Sequence, residues 1–119
     1  MARRLKIRRY TYDAQTQRLS GPVDLLTGLP HGTDHGGGRV VFGPDGKLYV
    51  TTGDATQRDL AQKMDSLAGK TLRYDADGSI PKDNPFTGRA GAHPEIYALG
   101  FRDIQGIAIH PRTGTLWTS

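Results

Sequence analysis

Hydrophobic and polar residues alternate along this chain in short runs separated by turn residues, and helical stripes are rare. In RRLKIRRYTYD, Leu5 and Ile7 alternate with Lys6 and Arg8, the period-2 pattern of a strand with one wet face. AQTQ then leads into RLSGPVDLL, and the three pieces predict a hairpin. A second hairpin is predicted in GRVVFGPDGKLYVTTGD, where Val40, Val41 and Phe42 enter a Gly-Pro-Asp-Gly turn and Leu48, Tyr49 and Val50 leave it. Pro44 supplies the fixed φ of such a turn and Gly46 permits φ > 0. QGIAIHPRTGTLWTS predicts a third hairpin, with Ile107 and Ile109 meeting Pro111 to Gly114 before Leu116 and Trp117. KTLRYDADGSI predicts a further strand pair about a turn at Asp75 to Gly78. One segment departs from this pattern. In QRDLAQKMDSLAG, Leu60, Met64 and Leu67 fall at i, i+4 and i+7, which predicts a short helix or helical turn ending near Gly69.

The second and third hairpins read as repeats. Aligning Pro44 with Pro111 sets Phe42 on Ile109, Gly46 on Gly114, Leu48 on Leu116 and Tyr49 on Trp117, with one extra residue in the later turn. Repeated short strand pairs suggest a β-propeller or another repeated-sheet architecture. A blade has about four strands, so the chain supplies about two blades and cannot close a propeller by itself. Its open sheet edges therefore predict self-association.

Composition narrows the classes. The 119 residues suit one domain, and 16 glycines with 7 prolines favour strands and tight turns over a helical bundle. The absence of cysteine excludes disulfides, thiolate metal sites and a cysteine nucleophile. No apolar run reaches the roughly 18 residues of a membrane span, and Met1 to Arg9 holds no signal-peptide core. A net charge of +4 is mild. The basic run Arg3, Arg4, Lys6, Arg8, Arg9 lacks the interleaved aromatics of a single-strand binder, so a nucleic-acid partner is not expected.

Two polar clusters could carry chemistry. In HGTDHGGGR, Asp34 and His35 stand at the entrance to the second hairpin, and Asp54 follows its exit in VTTGD. Pairing through the Pro44–Gly46 turn brings His35 and Asp54 together at the open end, as an oriented general base or as a structural pair. In GFRDIQG, Arg102 and Gln105 lead into the third hairpin as HGTDHGGG leads into the second. Arg102 offers a bidentate fork for carboxylate or quinone oxygens, or a surface pair with Asp103. HGGGR precedes a strand, so it does not fit a phosphate loop. His31, His93 and His110 lack metal-ligand spacing, and DADGS lacks the later acidic ligands of a calcium loop.

DHGGGRVVFGPDGKLYVTTGD, SLAGKTLRYDADGSIPKDNPF and PEIYALGFRDIQGIAIHPRTGTLW, in this order, resemble the glucose/sorbosone dehydrogenase family, the soluble quinoprotein sugar dehydrogenases. The resemblance runs from about residue 5 to residue 119. It implies an all-β fold with one short helix, a fragment (residues 1–119) of a six-bladed β-propeller that binds pyrroloquinoline quinone (PQQ) and calcium. It also implies oxidation of an aldose at its anomeric carbon and a periplasmic or secreted setting. By resemblance, His35 matches the base that takes the anomeric hydroxyl proton, Asp54 its carboxylate partner and Asp34 a sugar contact. Arg102 matches the arginine at quinone and substrate, and Asp103 and Gln105 match cofactor contacts. The family usually reads Arg-Asn-Pro-Gln-Gly where this chain reads Arg102-Asp103-Ile104-Gln105-Gly106. The calcium ligands lie outside these residues, and no metal ligand is assigned. Two readings follow: part of a sugar dehydrogenase, inactive alone, or a non-catalytic propeller piece that binds a partner or itself.

Overall fold

The structure is a computed structural model and describes residues 3–119. Eight strands run in chain order: β1 (Arg4–Asp13), β2 (Arg18–Pro30), β3 (Gly37–Phe42), β4 (Leu48–Thr52), β5 (Lys70–Tyr74), β6 (Ile96–Leu99), β7 (Ile107–Ile109) and β8 (Leu116–Thr118). They form a two-stranded sheet β1-β2, a four-stranded sheet β3-β4-β5-β6 and a two-stranded sheet β7-β8. Every pairing is antiparallel.

The β3–β4 turn forms as its residues dictate. Gly46 sits at φ 73°, and Gly43 N–H donates to Lys47 C=O at 2.9 Å. Strand alternation then sends Leu48, Val50 and Leu72 to one face. There they join Ile96 and Tyr74, and Leu26 and Leu29 of β2 close the cluster. The opposite face carries a buried ion network. Arg73 Nη1 donates to Asp83 Oδ1 and to Asn84 Oδ1, both at 2.8 Å, while its Nη2 reaches Asp45 Oδ2 at 3.0 Å. Tyr49 Oη donates to the same Asp45 oxygen at 2.9 Å. Both faces of the sheet are therefore committed, one apolar and one ionic.

The strands divide as two, four and two. β3–β6 is one whole four-stranded blade. β7 approaches β3, so β7–β8 are the first two strands of the next blade. β2 enters β3 through a loop just as β6 enters β7, which makes β1–β2 the last two strands of the preceding blade. The chain is thus a segment of β-propeller, two blades' worth of strands arranged as one complete blade between two halves.

One expectation holds in a shorter form and one is corrected. The short helix or helical turn expected up to Gly69 is a single 3₁₀ turn, Arg58–Gln62. Its carbonyls are already engaged: Leu60 C=O accepts from Lys63 N–H at 3.1 Å, and Ala61 C=O accepts from Gly100 N–H at 2.9 Å. The i+4 ladder of an α-helix has no acceptor left to grow from. The turn at Asp75–Gly78 does form, but Ser79 and Ile80 do not pair back on β5. β6 takes that place, with Lys70 opposite Leu99, and Asn84 Nδ2 caps Arg73 C=O at 2.9 Å. The turn has a different use. A Cβ on Gly78 would lie 2.5 Å from Leu25 C=O, so its tip rests directly on the β2 backbone.

Lys70 is fully buried. Its ammonium donates to Leu60 C=O at 2.8 Å, Ala61 C=O at 3.0 Å and Ala68 C=O at 2.6 Å, one acceptor for each of its three protons. Burial pushes its pKa down to about 8. The unfolded chain holds this proton to about 10.5, so unfolding takes up a proton between those values. On Lys70's account stability therefore rises with pH across that window and is flat below it. Urea unfolding of wild type and Lys70→Met checks both consequences. The variant should lose about 1–3 kcal/mol at neutral pH, the cost of stranding a buried carbonyl, and should lack the wild-type upward slope above pH 8.

Candidate active site

Thr52 ends β4, Gly53 and Asp54 follow it, and two loops converge on these three residues. The first, residues 31–36, joins the preceding half-blade to β3. Its approach is closer than any side chain permits: a Cβ on Gly53 would fall 1.7 Å from His35 C=O. A Cβ on Gly37 would come within 2.7 Å of Gly53 N. Gly37 and Gly53 thus serve backbone-to-backbone contact, whereas a Cβ on Gly36 would meet the His31 ring and one on Gly38 would meet nothing. The second loop, residues 100–106, joins β6 to β7. Asp54 N–H donates to Arg102 C=O at 2.7 Å, and Phe101 N–H donates to Gly69 C=O at 3.1 Å.

This convergence places His35 Nδ1 2.9 Å from Asp54 Oδ1. Asp54 is buried and His35 is partly open to solvent. Asp54 Oδ1 also accepts from Thr56 N–H at 2.9 Å, which holds the carboxylate in place. His35, Ala55 and Thr56 have φ of 55°, 52° and 66°, left-handed values that cost side-chain-bearing residues about 1–3 kcal/mol and cluster at functional sites. A carboxylate at Nδ1 favours the neutral tautomer with its proton there, which leaves the Nε2 lone pair free. Such a pair can serve as an oriented general base or as a structural contact.

The remaining expected residues surround this pair without all touching it. Arg102 is exposed and lines, with Asp54, Arg58 and Gln62, an open pocket of ≈ 310 Å³. Asp103 Oδ1 accepts from Gly37 N–H at 3.2 Å, so its carboxylate clasps the two loops together. Gln105 contributes its backbone: its C=O accepts from Arg39 Nε at 2.6 Å, while the residue itself is exposed, as is Asp34. Ile104 is buried at 2% exposure, so the position where the family usually has proline is an apolar anchor here. Sequence reasoning missed Gly53, Arg39 and Lys70. A glycine directly before the candidate carboxylate was the available signal for the first.

An anionic, planar quinone calls for cationic and amide donors at its rim. Arg102 and Gln105 fit that requirement. Asp103 does not, because its carboxylate is acceptor-only and already bound to Gly37.

A complete four-stranded blade between two half-blades defines the class of this protein, a β-propeller segment. The family model described as Glucose / Sorbosone dehydrogenase matches residues 1–119, and the chain belongs to that family. It is 44% identical over 124 aligned positions to quinoprotein glucose dehydrogenase B of Acinetobacter calcoaceticus, covering 88% of this chain and 26% of that protein. Among solved structures, the soluble aldose sugar dehydrogenase of Escherichia coli in its apo form superimposes with a TM-score of 0.88 at 33% identity, covering 95% of this chain and 33% of that one. The PQQ-bound aldose sugar dehydrogenase of Streptomyces coelicolor gives a TM-score of 0.83 at 37% identity, covering 96% and 33%. The chain therefore spans about a third or less of these relatives.

Gly53→Ala should displace the His35 loop. Cost is expected at about 2–4 kcal/mol, the range of a severe backbone clash, with loss of the His35–Asp54 contact. Urea unfolding and the His35 imidazole nitrogen shifts measure the two effects. An unchanged imidazole spectrum in a folded variant contradicts the close contact.

Proposed function

We propose that this chain is the general-base segment of a PQQ-dependent aldose dehydrogenase. The observation that carries the reading is the His35–Asp54 pair, with Nδ1 held and Nε2 free. In this reading Asp54 fixes the ring and its tautomer, and stabilises the imidazolium that forms. His35 Nε2 takes the proton from the sugar's anomeric hydroxyl. Arg102 and Gln105 hold the cofactor and the substrate oxygens, and Asp34 contacts the sugar. When bound, the quinone supplies the acceptor for the hydride. Calcium, with ligands outside these residues, a periplasmic or secreted setting, and inactivity of the 119-residue piece alone follow the family resemblance. Among the described residues no helix is long and apolar enough to cross a membrane.

One observation favours a second, non-catalytic reading in which the piece binds a partner or itself. The Asp103 carboxylate stands where the family places an amide, adding negative charge beside an anionic cofactor. Calorimetric titration of a whole-length polypeptide carrying these residues with PQQ and calcium separates the two. Asp103→Asn keeps an oxygen acceptor for Gly37 N–H and removes the charge, so it should bind PQQ more tightly than wild type under the first reading. Equal absence of binding in both proteins supports the second.

In a whole-length polypeptide carrying these residues, His35→Ala should lower aldose oxidation by about 10²–10⁴-fold, the usual contribution of a general base. The melting temperature should stay near wild type, since a partly exposed loop histidine buries little area. Dye-coupled turnover beside thermal unfolding reads both. Undiminished turnover in the alanine variant removes the assigned role.

A further inference from the structure

We infer that the pocket shared by Arg58 and Arg102 selects an aldose carrying an anionic group, a carboxylate or a phosphate, and that Arg58 is the residue that reads it. That selection presupposes the aldose-oxidising reading and deepens it by naming the substrate class. The pocket adjoins the His35 pair through Asp54 and extends along Arg58, Gln62, Phe101 and Arg102. Its walls come from the connections after β4 and after β6, and neither end of the sequence contributes a residue to it.

Backbone contacts on both sides of Arg58 fix where its side chain starts. Gln57 N–H donates to Asp54 C=O at 2.9 Å, and Ala61 C=O accepts from Gly100 N–H at 2.9 Å. The Lys70 ammonium holds Leu60 C=O and Ala61 C=O as well. The 3₁₀ turn is thus tied to the Asp54 wall at one end and to the Phe101 loop at the other. Gln62 is packed as closely: a Cβ on Gly100 would lie 3.0 Å from its Nε2.

The free charge of the lining has one sign. Among the described residues Asp54 is the only acid that lines the pocket. Its carboxylate is already engaged, by His35 Nδ1 and by Thr56 N–H, both at 2.9 Å. Asp59, next to Arg58 in sequence, takes no part in the lining. Arg8 and Arg73 are ion-paired, whereas among the described residues Arg58 and Arg102 are not. Two guanidiniums on one open volume repel each other and gain from an anion between them, and their planar forks match the oxygens of a carboxylate or phosphate. The rest of the lining suits the body of a sugar. Gln62 offers amide donors and an acceptor for hydroxyls, and Phe101 and Ala61 supply the apolar part. Arg102 is shared with the cofactor in the functional reading. Arg58, on a separate connection, is the charge left for the substrate.

A whole-length polypeptide carrying these residues is titrated calorimetrically with D-glucuronate, D-glucose 6-phosphate and D-glucose. Calcium and reduced PQQ are present, so binding is read without turnover. At least one anionic sugar should bind about 10–100-fold more tightly than glucose, the usual contribution of hydrogen bonds to a charged group. The stronger of the two identifies carboxylate or phosphate, and the advantage should shrink at about 0.5 M salt. Arg58→Gln should remove most of it, and Arg58→Lys should restore part. With oxidised PQQ, the ratio of kcat/KM for that anionic sugar to kcat/KM for glucose should fall by a similar factor in Arg58→Gln, through KM. Glucose binding as tightly as both anionic sugars, or an anionic advantage that survives Arg58→Gln, overturns the inference. So does a loss of PQQ affinity in Arg58→Gln, which would give this arginine to the cofactor. The two readings fail separately: an Arg58-dependent anionic advantage in a protein that oxidises no aldose sinks only the dehydrogenase reading, and oxidation of aldoses without that advantage sinks only the assignment of Arg58.

Discussion

The contact between Gly53 and the carbonyl of His35 leaves no space for a side chain, and the arrangement of the site follows from it. Gly53 directly follows β4, a strand buried on both faces, so its position is set by the blade. Its own C=O accepts from Gly69 N–H at 2.8 Å, tying it to the start of β5. The 31–36 loop is pressed onto this fixed point and His35 is forced to φ 55°. One residue further, Asp54 faces the ring and its N–H holds the Arg102 loop. Three connections thus converge on the end of β4 and the two residues after it.

Beneath that point the interior is polar, and Thr52 and Lys70 are bonded within it. Thr52 Oγ1 donates to Leu67 C=O at 2.6 Å and accepts from Lys70 N–H at 3.1 Å. The Lys70 ammonium collects the carbonyls that a longer helix would have used internally. A buried ammonium is costly in apolar surroundings, and three aligned carbonyls offset much of that cost. In exchange, the segment from Leu60 to Ala68 is fixed without regular secondary structure. This matters because the 3₁₀ turn carries Arg58 and Gln62 to the pocket that Asp54 and Arg102 share.

Local chemistry made the hairpins legible. The Pro44–Gly46 turn, the period-2 runs and the likeness of Pro44 to Pro111 were sufficient for three strand pairs and for the meeting of His35 with Asp54. What the chain hid was non-local. The Leu60, Met64, Leu67 spacing is helical in isolation, and only a lysine from β5 and an amide from residue 100 take the carbonyls that would sustain it. KTLRYDADGSI reads as a hairpin because Asp75 to Gly78 is a real turn, yet Glu95 C=O, accepting from Arg73 N–H at 2.9 Å, and Asn84 outcompete the returning residues for β5. Asp103 was visible as a departure from the family pattern. Its bond to Gly37 was not, since those residues lie on different loops.

The same geometry separates what the segment can do alone from what it needs others for. The His35–Asp54 pair is held by backbone contacts contained within β4 and its two flanking loops, all of them whole in these residues. Its orientation is therefore independent of any further blade. Arg102, Gln105 and Asp34 are different. Their backbones are placed by the same contacts, but their side chains are exposed, and long exposed side chains retain rotamer freedom of about 1–2 kcal/mol that binding must remove. Any ligand seated among them must supply that ordering. The histidine–carboxylate geometry is therefore fixed by one blade and its flanking loops, whereas the side chains around it remain free to adapt.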